Sequence, residues 1–505
     1  MGGMVTKPDW IFDRDDEWEQ LAGWATRAGG GRPRLGIVSG RRRQGKTYLL
    51  QALVEARAGF YFGATQATQT ESLSLLADAL TRYSDLPVPL RFASWDEAVR
   101  YLFAARDIGP GPVVIDEFPY LSSAAPQLPS ILQREIDQGV NSRTDITLLL
   151  CGSALSVKGE GEVGGGLLAG SAPLRGRAGM ELVVRPFRYR LAAQYWKVTD
   201  PRLAVLHNAV VGGTPAYRDF VSGDSPASLA DFDRWVLRTV LNPTTPLFRE
   251  ARYLLEEEPG IRDIALYHSV LAAVANGNGT RGGIASYIGR KAADIGHHLN
   301  VLEDSGLLRR EPDVFRSGRS RYRVAEPLIT FYQVVMRPQW GQLESGRAAS
   351  VWPDARPRFL AQVAGPHFEQ LCRDHALSAP VGTFAALPGE VGAGVVSDPA
   401  RRGAIEVDIV VLGSAQPGEP RRVLALGEAK LGDVMGVRHL QRLRRARDLL
   451  TARGYDTRDT VLACYGGAGF EPGLAAGSSA ERVILVGPDE LYADPAGGGG
   501  LDGLR

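Results

Sequence analysis

The chain has 505 residues, more than one hydrophobic core sustains, so two or three domains are expected. Its hydrophobic content of 44% and charged content of 23% suit a globular protein, and a formal net charge of +1 excludes whole-molecule steering toward nucleic acid, leaving that task to local patches. Cys151, Cys372 and Cys464 lack CxxC or Cys/His spacing, which argues against structural zinc, and no apolar run reaches the ~18 residues of a membrane span.

Val5 to Ala28 reads as an opening segment and a helix carrying Trp18, Leu21 and Trp24. Leu35 to Ser39 is an apolar strand before a Gly-rich turn, and a helical pattern follows from Lys46 to Arg57. Phe60 to Phe62, Pro112 to Asp116, Ile146 to Cys151 and Glu181 to Val184 read as four more strands, with helices between them. That alternation predicts an α/β fold with a parallel sheet, assigned to residues 1–235 with a helical extension. Glu160 to Ser171 is a Gly-rich loop.

Residues 236–340 form the second expected unit. Arg262 to Ala275, Gly282 to Arg290 and Lys291 to Ser305 read as three helices. Leu307 to Val314 and Arg319 to Val324 flank Ser317-Gly318 as a hairpin, which completes the outline of a winged helix. Gly341 to Pro357 reads as a linker. Residues 341–505 form a smaller α/β unit: a helix from Val363 to Ala376, strands at Ile405 to Leu412 and Arg422 to Glu428, a helix from Val437 to Arg453, and strands at Thr460 to Cys464 and Arg482 to Val486.

Gly40-Arg41-Arg42-Arg43-Gln44-Gly45-Lys46-Thr47 fits G-x-x-x-x-G-K-[ST] without mismatch, between a strand and a helix. Glycines let the backbone turn its N–H groups toward phosphate oxygens, and the helix N-terminus adds partial positive charge. ATP is therefore the expected ligand, with Lys46 on the β/γ-phosphates and the Thr47 hydroxyl on Mg2+. Val113 to Glu117 delivers two carboxylates to the C-terminal end of a buried strand, where ligands sit in open α/β sheets. Asp116 is the expected Mg2+ partner and Glu117 the base that polarises water. Ser153, closing the Leu148 to Gly152 run, is placed to sense the γ-phosphate.

Together these segments resemble the archaeal-type ATPases, AAA-like P-loop proteins related to the STAND NTPases. Phe12 to Glu17 resembles that family's Arg-containing N-terminal motif, which implies a place for Arg14 beside the adenine pocket. Pro173-Leu174-Arg175-Gly176-Arg177 resembles its Pro-Leu-x-Gly-Arg segment, and Gly213-Thr214-Pro215 its Gly-x-Pro motif, which implies a place for Pro215 near the nucleotide. Gly161 to Gly170 departs from the pattern, and Arg143 and Arg177 are alternative arginine fingers, a role that a neighbouring subunit or partner also fills in such proteins. The resemblance leaves open a homo-oligomer or a protein partner. The acidic stretch Met1 to Asp16 has no apolar signal core, so a cytoplasmic location without membrane is expected.

The hairpin carries Arg316, Arg319 and Arg321, suited to DNA phosphates, while the helix before it mixes Lys291, His297 and Asn300 with Asp294, Glu303 and Asp304. DNA contact and a packing role both remain open for it. In the last unit Ile405, Val407 and Ile409 read as one buried face, leaving Asp408 on the other, and the two-residue period brings Glu428 and Lys430 together. The set resembles the PD-(D/E)xK nuclease fold. That resemblance implies a metal held by Asp408, Glu428 and Glu369, with Lys430 orienting water. Arg438, Arg442 and Arg445 share a face of the following helix, suited to a nucleic-acid backbone.

Overall fold

The computed structural model describes residues 5–26, 32–104, 111–142, 145–153, 172–256, 263–380, 382–476 and 482–493. The fold is α/β. Its first sheet has five parallel strands: β1 (Arg34–Ser39), β2 (Phe60–Gly63), β3 (Val113–Asp116), β4 (Thr147–Gly152) and β5 (Ala178–Val183). Their spatial order is β2-β3-β4-β1-β5. Both faces are covered, which is why the strands read as unbroken apolar runs. Leu35 and Ile37 pack with Phe60, Ile115 and Leu148 on one side. Val38, Val114, Leu149 and Cys151 pack with Trp18, Leu21, Leu50 and Leu53 on the other.

A helical core follows, gathering Trp196, Val210, Trp235 and Phe248. This core also takes in Val351, Trp352, Ala355, Phe359 and Val363, so the segment read as a linker is helical. Helices run over Trp340–Glu344 and Ala348–Phe359, with Pro353 and Pro357 inside the second. Interior prolines cost roughly 3 kcal/mol each. Burial of large apolar side chains offsets this at about 1.5–3 kcal/mol apiece. A π turn over Leu360–Ala364 then joins this helix without interruption to the helix Gly365–Leu377.

Three helices, Ile264–Ala275, Arg281–Tyr287 and Gly296–Asp304, and the antiparallel hairpin of β6 (Leu308–Pro312) and β7 (Ser320–Val324) share one core around Val270, Ile284, Leu299 and Tyr322. The third helix begins at Gly296, not Lys291, because the carbonyls of Ala292 and Ala293 are drawn to the Arg281 guanidinium instead of a helical ladder.

The second sheet has the order β12-β11-β10-β9-β8, from β8 (Glu390–Asp398), β9 (Gly403–Leu412), β10 (Val423–Lys430), β11 (Val461–Gly466) and β12 (Val483–Val486). β8–β9 and β9–β10 are antiparallel; the rest are parallel. The helix Gly365–Leu377 packs on one face through Phe368 and Leu371. The helix Val437–Thr451 packs on the other through Leu440 and Leu443. β8 escapes the sequence pattern because Gly392 and Gly394 weaken it. Both are small because the hairpin turn leans on them: a Cβ at Gly394 would stand 2.4 Å from the Phe315 ring, and one at Gly392 2.8 Å from Val314.

Candidate phosphate site and C-terminal carboxylate cluster

The loop between β1 and the helix Lys46–Arg57 turns through Gly40 (φ 150°), Arg43 (φ 68°) and Gly45 (φ 87°). A Cβ at Gly40 would sit 2.3 Å from Val184 O, so only glycine fits there. Gly45, in a left-handed conformation, caps the helix without a side-chain bond, so no side chain takes up the first helical N–H groups from that position. Lys46 is buried, and its Nζ donates to Gly40 O and Arg41 O, both at 2.9 Å.

Thr47 Oγ1 donates to Asp116 Oδ2 at 2.7 Å, and Tyr61 OH donates to the same oxygen at 2.9 Å. Asp116 Oδ1 accepts from Glu117 N at 2.9 Å. Sequence reasoning missed Tyr61. Its signal was the alternation in β2, where Phe60 and Phe62 enter one core and Tyr61 turns to the opposite face. Burial, then the Asp116 charge, raises the Tyr61 phenol well above its ordinary pKa, so it remains a donor. Glu117 is half-buried at the end of β3 with φ 52°, a left-handed conformation that costs a non-glycine residue on the order of 1–3 kcal/mol. Ser153 is buried directly after β4, the strand between β1 and β3. The ends of three neighbouring strands thus bring Lys46, Ser153, Asp116 and Glu117 to one edge of the sheet.

Arg14 is buried beside this edge. Its guanidinium donates to Glu17 Oε1 at 2.8 Å and Gln44 O at 3.2 Å and lies 4.4 Å from the Phe187 ring centre. Pro215 precedes Ala216, whose N–H donates to Arg43 O at 3.5 Å, and Gln44 Nε2 donates to Thr214 Oγ1 at 3.1 Å. Arg42 donates to Tyr120 OH at 3.0 Å. Trp10 and Tyr48, 59% and 61% exposed, meet edge to face 6.3 Å apart. Neither was singled out in the sequence, because lone aromatics carry no spacing. Arg177 is gripped by Asp137 at 3.0 and 2.9 Å; Arg143 and Gly161 to Gly170 lie outside the described residues.

In the second sheet, Gly392 pairs with Val410 and Gly394 with Val407, so Asp408 and Ile409 together oppose Ala393 in a β-bulge. The bulge breaks the expected alternation. Ile405 and Val407 lie against one layer while Ile409 joins the opposite one. It also aims Asp408 at β10, where Oδ2 accepts from Ala429 N at 3.0 Å. Lys430 Nζ stands 2.9 Å from Glu428 Oε1 and 3.6 Å from Asp408 Oδ2. Burial opposes the Lys430 charge, yet Asp408 and Glu428 hold its pKa above the ordinary lysine value. Glu428 is 1% exposed, and its Oε2 has no hydrogen-bond partner among the described residues. Glu369 is raised by burial, then by the Asp408 charge, and bonds Arg323 at 3.3 Å. Among the described residues no group of three or more His, Cys, Asp or Glu side chains is arranged to hold a metal ion.

The hairpin faces this sheet. Arg316 donates to Ser397 Oγ at 2.9 Å, Arg321 to Glu406 Oε1 at 2.6 Å, and Val314 N to Ala393 O at 3.2 Å. Arg319 is exposed. Arg442 binds Glu428 at 3.4 Å and Glu406 O at 2.8 Å, and Arg445 binds Asp398 at 2.9 Å. Cys151, Cys372 and Cys464 are buried and unpaired as disulfides, and no helix among the described residues is long and apolar enough to cross a membrane.

No family model matches the chain. An uncharacterised protein of Methanocaldococcus jannaschii is 26% identical over 314 residues, which cover 61% of this chain and 66% of that protein, so the chain spans just under two thirds of that relative. Among solved structures, a Walker-type ATPase of Pyrococcus abyssi is 20% identical, with a TM-score of 0.48 over 65% of this chain and 97% of the other. Cdc6p of Pyrobaculum aerophilum is 16% identical, with a TM-score of 0.30 over 70% of this chain and 97% of its own. A STAND protein with a tetratricopeptide repeat sensor from Pyrococcus horikoshii is 12% identical, with a TM-score of 0.27 over 74% and 51%. None of these likenesses assigns a role to a residue of this chain.

Proposed function

We propose that the chain is a Mg2+-dependent ATPase, a nucleotide-driven switch coupled to DNA. The observation that carries this reading is the meeting of Lys46, Thr47, Asp116 and Glu117 at one sheet edge, in front of a helix whose first N–H groups are uncapped. The N–H groups hold the triphosphate, and Lys46 exchanges two carbonyl partners for phosphate oxygens. Thr47 and Asp116 form a hard-oxygen pair that fits Mg2+, and the bound ion would neutralise charge on the transferring phosphate. Glu117 takes a proton from the attacking water, and Ser153 contacts the γ-phosphate. Arg14 and the segment that Pro215 opens bond the loop backbone, and the exposed Trp10–Tyr48 pair supports a stacking face for the base. The test is ATP turnover with and without Mg2+ and with and without DNA. No turnover under any of these conditions refutes the ATPase, and turnover indifferent to DNA favours a nucleotide-gated protein scaffold.

A second reading concerns residues 341–505, taken as a PD-(D/E)xK nuclease-like unit behind a winged helix. The unpartnered Glu428 Oε2, beside the bulged Asp408, favours it. Asp408 and Glu428 would hold a divalent ion, joined by Glu369 only once it leaves Arg323, since the three are not arranged for a metal as they stand, and Lys430 would orient water. Nicking of supercoiled DNA in Mg2+ or Mn2+ that disappears in Asp408→Ala is the expected result.

A further inference from the structure

Three arginines fill the phosphate loop between its glycines, and two of them reach buried carboxylates far along the chain. Arg43 Nε and Nη2 donate to the two Glu250 oxygens at 3.0 and 3.4 Å. Arg41 Nη2 meets Glu326 Oε2 at 2.5 Å. Glu250 lies on the helix Pro246–Glu256 of the helical core, and Glu326 directly follows the hairpin and caps Pro327–Phe331. They are 2% and 1% exposed. Glu326 Oε2 also accepts from Thr214 Oγ1 at 3.2 Å, and Thr214 in turn accepts from Gln44 of the loop.

We infer that Glu250 and Glu326 are positioning residues of the phosphate loop, acting through Arg43 and Arg41 rather than on the nucleotide. The inference rests on the ATP-binding reading of that loop. The physical reason begins with Arg43, whose left-handed backbone is unfavourable for a side chain with a Cβ. Such a conformation persists only where surroundings over-determine it. Here the guanidinium is held at two points by Glu250, and Arg43 O is held by Ala216 N. That backbone sets the direction of the N–H groups that follow it. A buried carboxylate without its cation is strongly disfavoured, so each pair holds at both ends: the loop keeps its shape, and the helical core keeps its contact with the loop. Arg41 also lies under Gly306, where a Cβ would stand 3.3 Å from Arg41 Cδ, so the start of the hairpin closes over the same side chain.

The experiment is titration calorimetry of ATP and of tripolyphosphate, which lacks the base, on the parent, Lys46→Ala, Glu250→Gln and Glu326→Gln. Glu250→Gln and Glu326→Gln should weaken both probes by the same factor, roughly tenfold, since the loop and not the base side is altered. In steady-state turnover KM should rise with kcat kept, the mark of lost uniform binding. Glu250→Asp should restore part of the affinity. Because breaking an ion pair whose carboxylate end is buried threatens folding, the paired variant Arg43→Leu, Glu250→Leu removes both charges together and should bind as weakly as Glu250→Gln alone. Unchanged affinity in folded Glu250→Gln and in the paired variant overturns the inference while Lys46→Ala still loses ATP. A loss confined to ATP, with tripolyphosphate unaffected, overturns it as well. A parent that binds neither probe refutes the ATP-binding reading and the inference with it.

Discussion

Lys46 and Asp116 at the phosphate loop and the carboxylates of the C-terminal cluster are held in opposite ways. In the loop, the cation Lys46 rests on two neutral carbonyls, and Asp116 is held by hydroxyls and an N–H group. In the second sheet every carboxylate faces a full positive charge: Glu369 meets Arg323, Glu428 meets Lys430 and Arg442, and Asp408 meets Lys430. A ligand at the loop exchanges dipoles for charges and gains. A cation at the cluster must first displace cations already there, at a Coulombic cost that burial magnifies. In the first region Lys46 has no carboxylate partner among the described residues, as the proposed anion site requires; the second is neutralised from within.

Four changes break or sharpen this contrast, from the largest effect to the smallest. Glu117→Gln should lower ATP turnover roughly a thousandfold and leave ATP affinity within about twofold, since it removes a base and keeps the shape. Equal turnover in a rate assay would relieve Glu117 of that role. Lys46→Ala should weaken ATP roughly 100-fold, as about 3 kcal/mol of charge-assisted bonding disappears, and calorimetry reads this directly. For the cluster, Arg323→Ala in the Lys46→Ala background should strengthen Mn2+ binding several-fold by unmasking Glu369, and adding Asp408→Ala should remove it. Were Arg323→Ala to weaken the metal instead, the self-neutralised description would fail. Arg316, Arg319 and Arg321 changed together to Ala should weaken DNA binding only a few-fold. The logarithmic salt slope should flatten by about one unit rather than three, because Arg316 and Arg321 are already bonded to Ser397 and Glu406 of the second sheet, whereas Arg319 is exposed and makes no such bond among the described residues. A slope change near three in a filter-binding series would mean that the hairpin leaves the sheet when DNA binds.

The same contrast explains what was legible in the sequence. The phosphate loop is contiguous, and its chemistry is carried by backbone turns that glycines announce, so Gly40 to Thr47 could be read directly. Asp116 and Glu117 followed from one apolar strand. Tyr61, Glu250 and Glu326 were not legible, because each owes its place to packing between distant elements. The C-terminal cluster was legible as a pattern but not as a geometry. A bulge at Asp408 and Ile409 shifts the alternation by one residue, and nothing in Glu406 to Val410 marks it. The supposed linker failed for a related reason: glycine and two prolines suggested a break, while Val351, Trp352, Ala355 and Phe359 had a core to fill.

The unbroken helical run from Ala348 to Leu377 has a consequence for how the molecule comes apart. At 1.5 Å per residue it is roughly 45 Å long. Its first half is buried in the helical core through Trp352 and Phe359, and its second half in the C-terminal core through Phe368 and Leu371. A rod anchored in two cores couples their openings, so neither unfolds without fraying the other's support. Amides in the helical core and in β9 and β10 should therefore exchange with deuterium at a shared, slow rate. The π turn at Leu360–Ala364, where the ladder changes from i→i+4 to i→i+5 bonding between the two anchors, should be the first part of the rod to exchange.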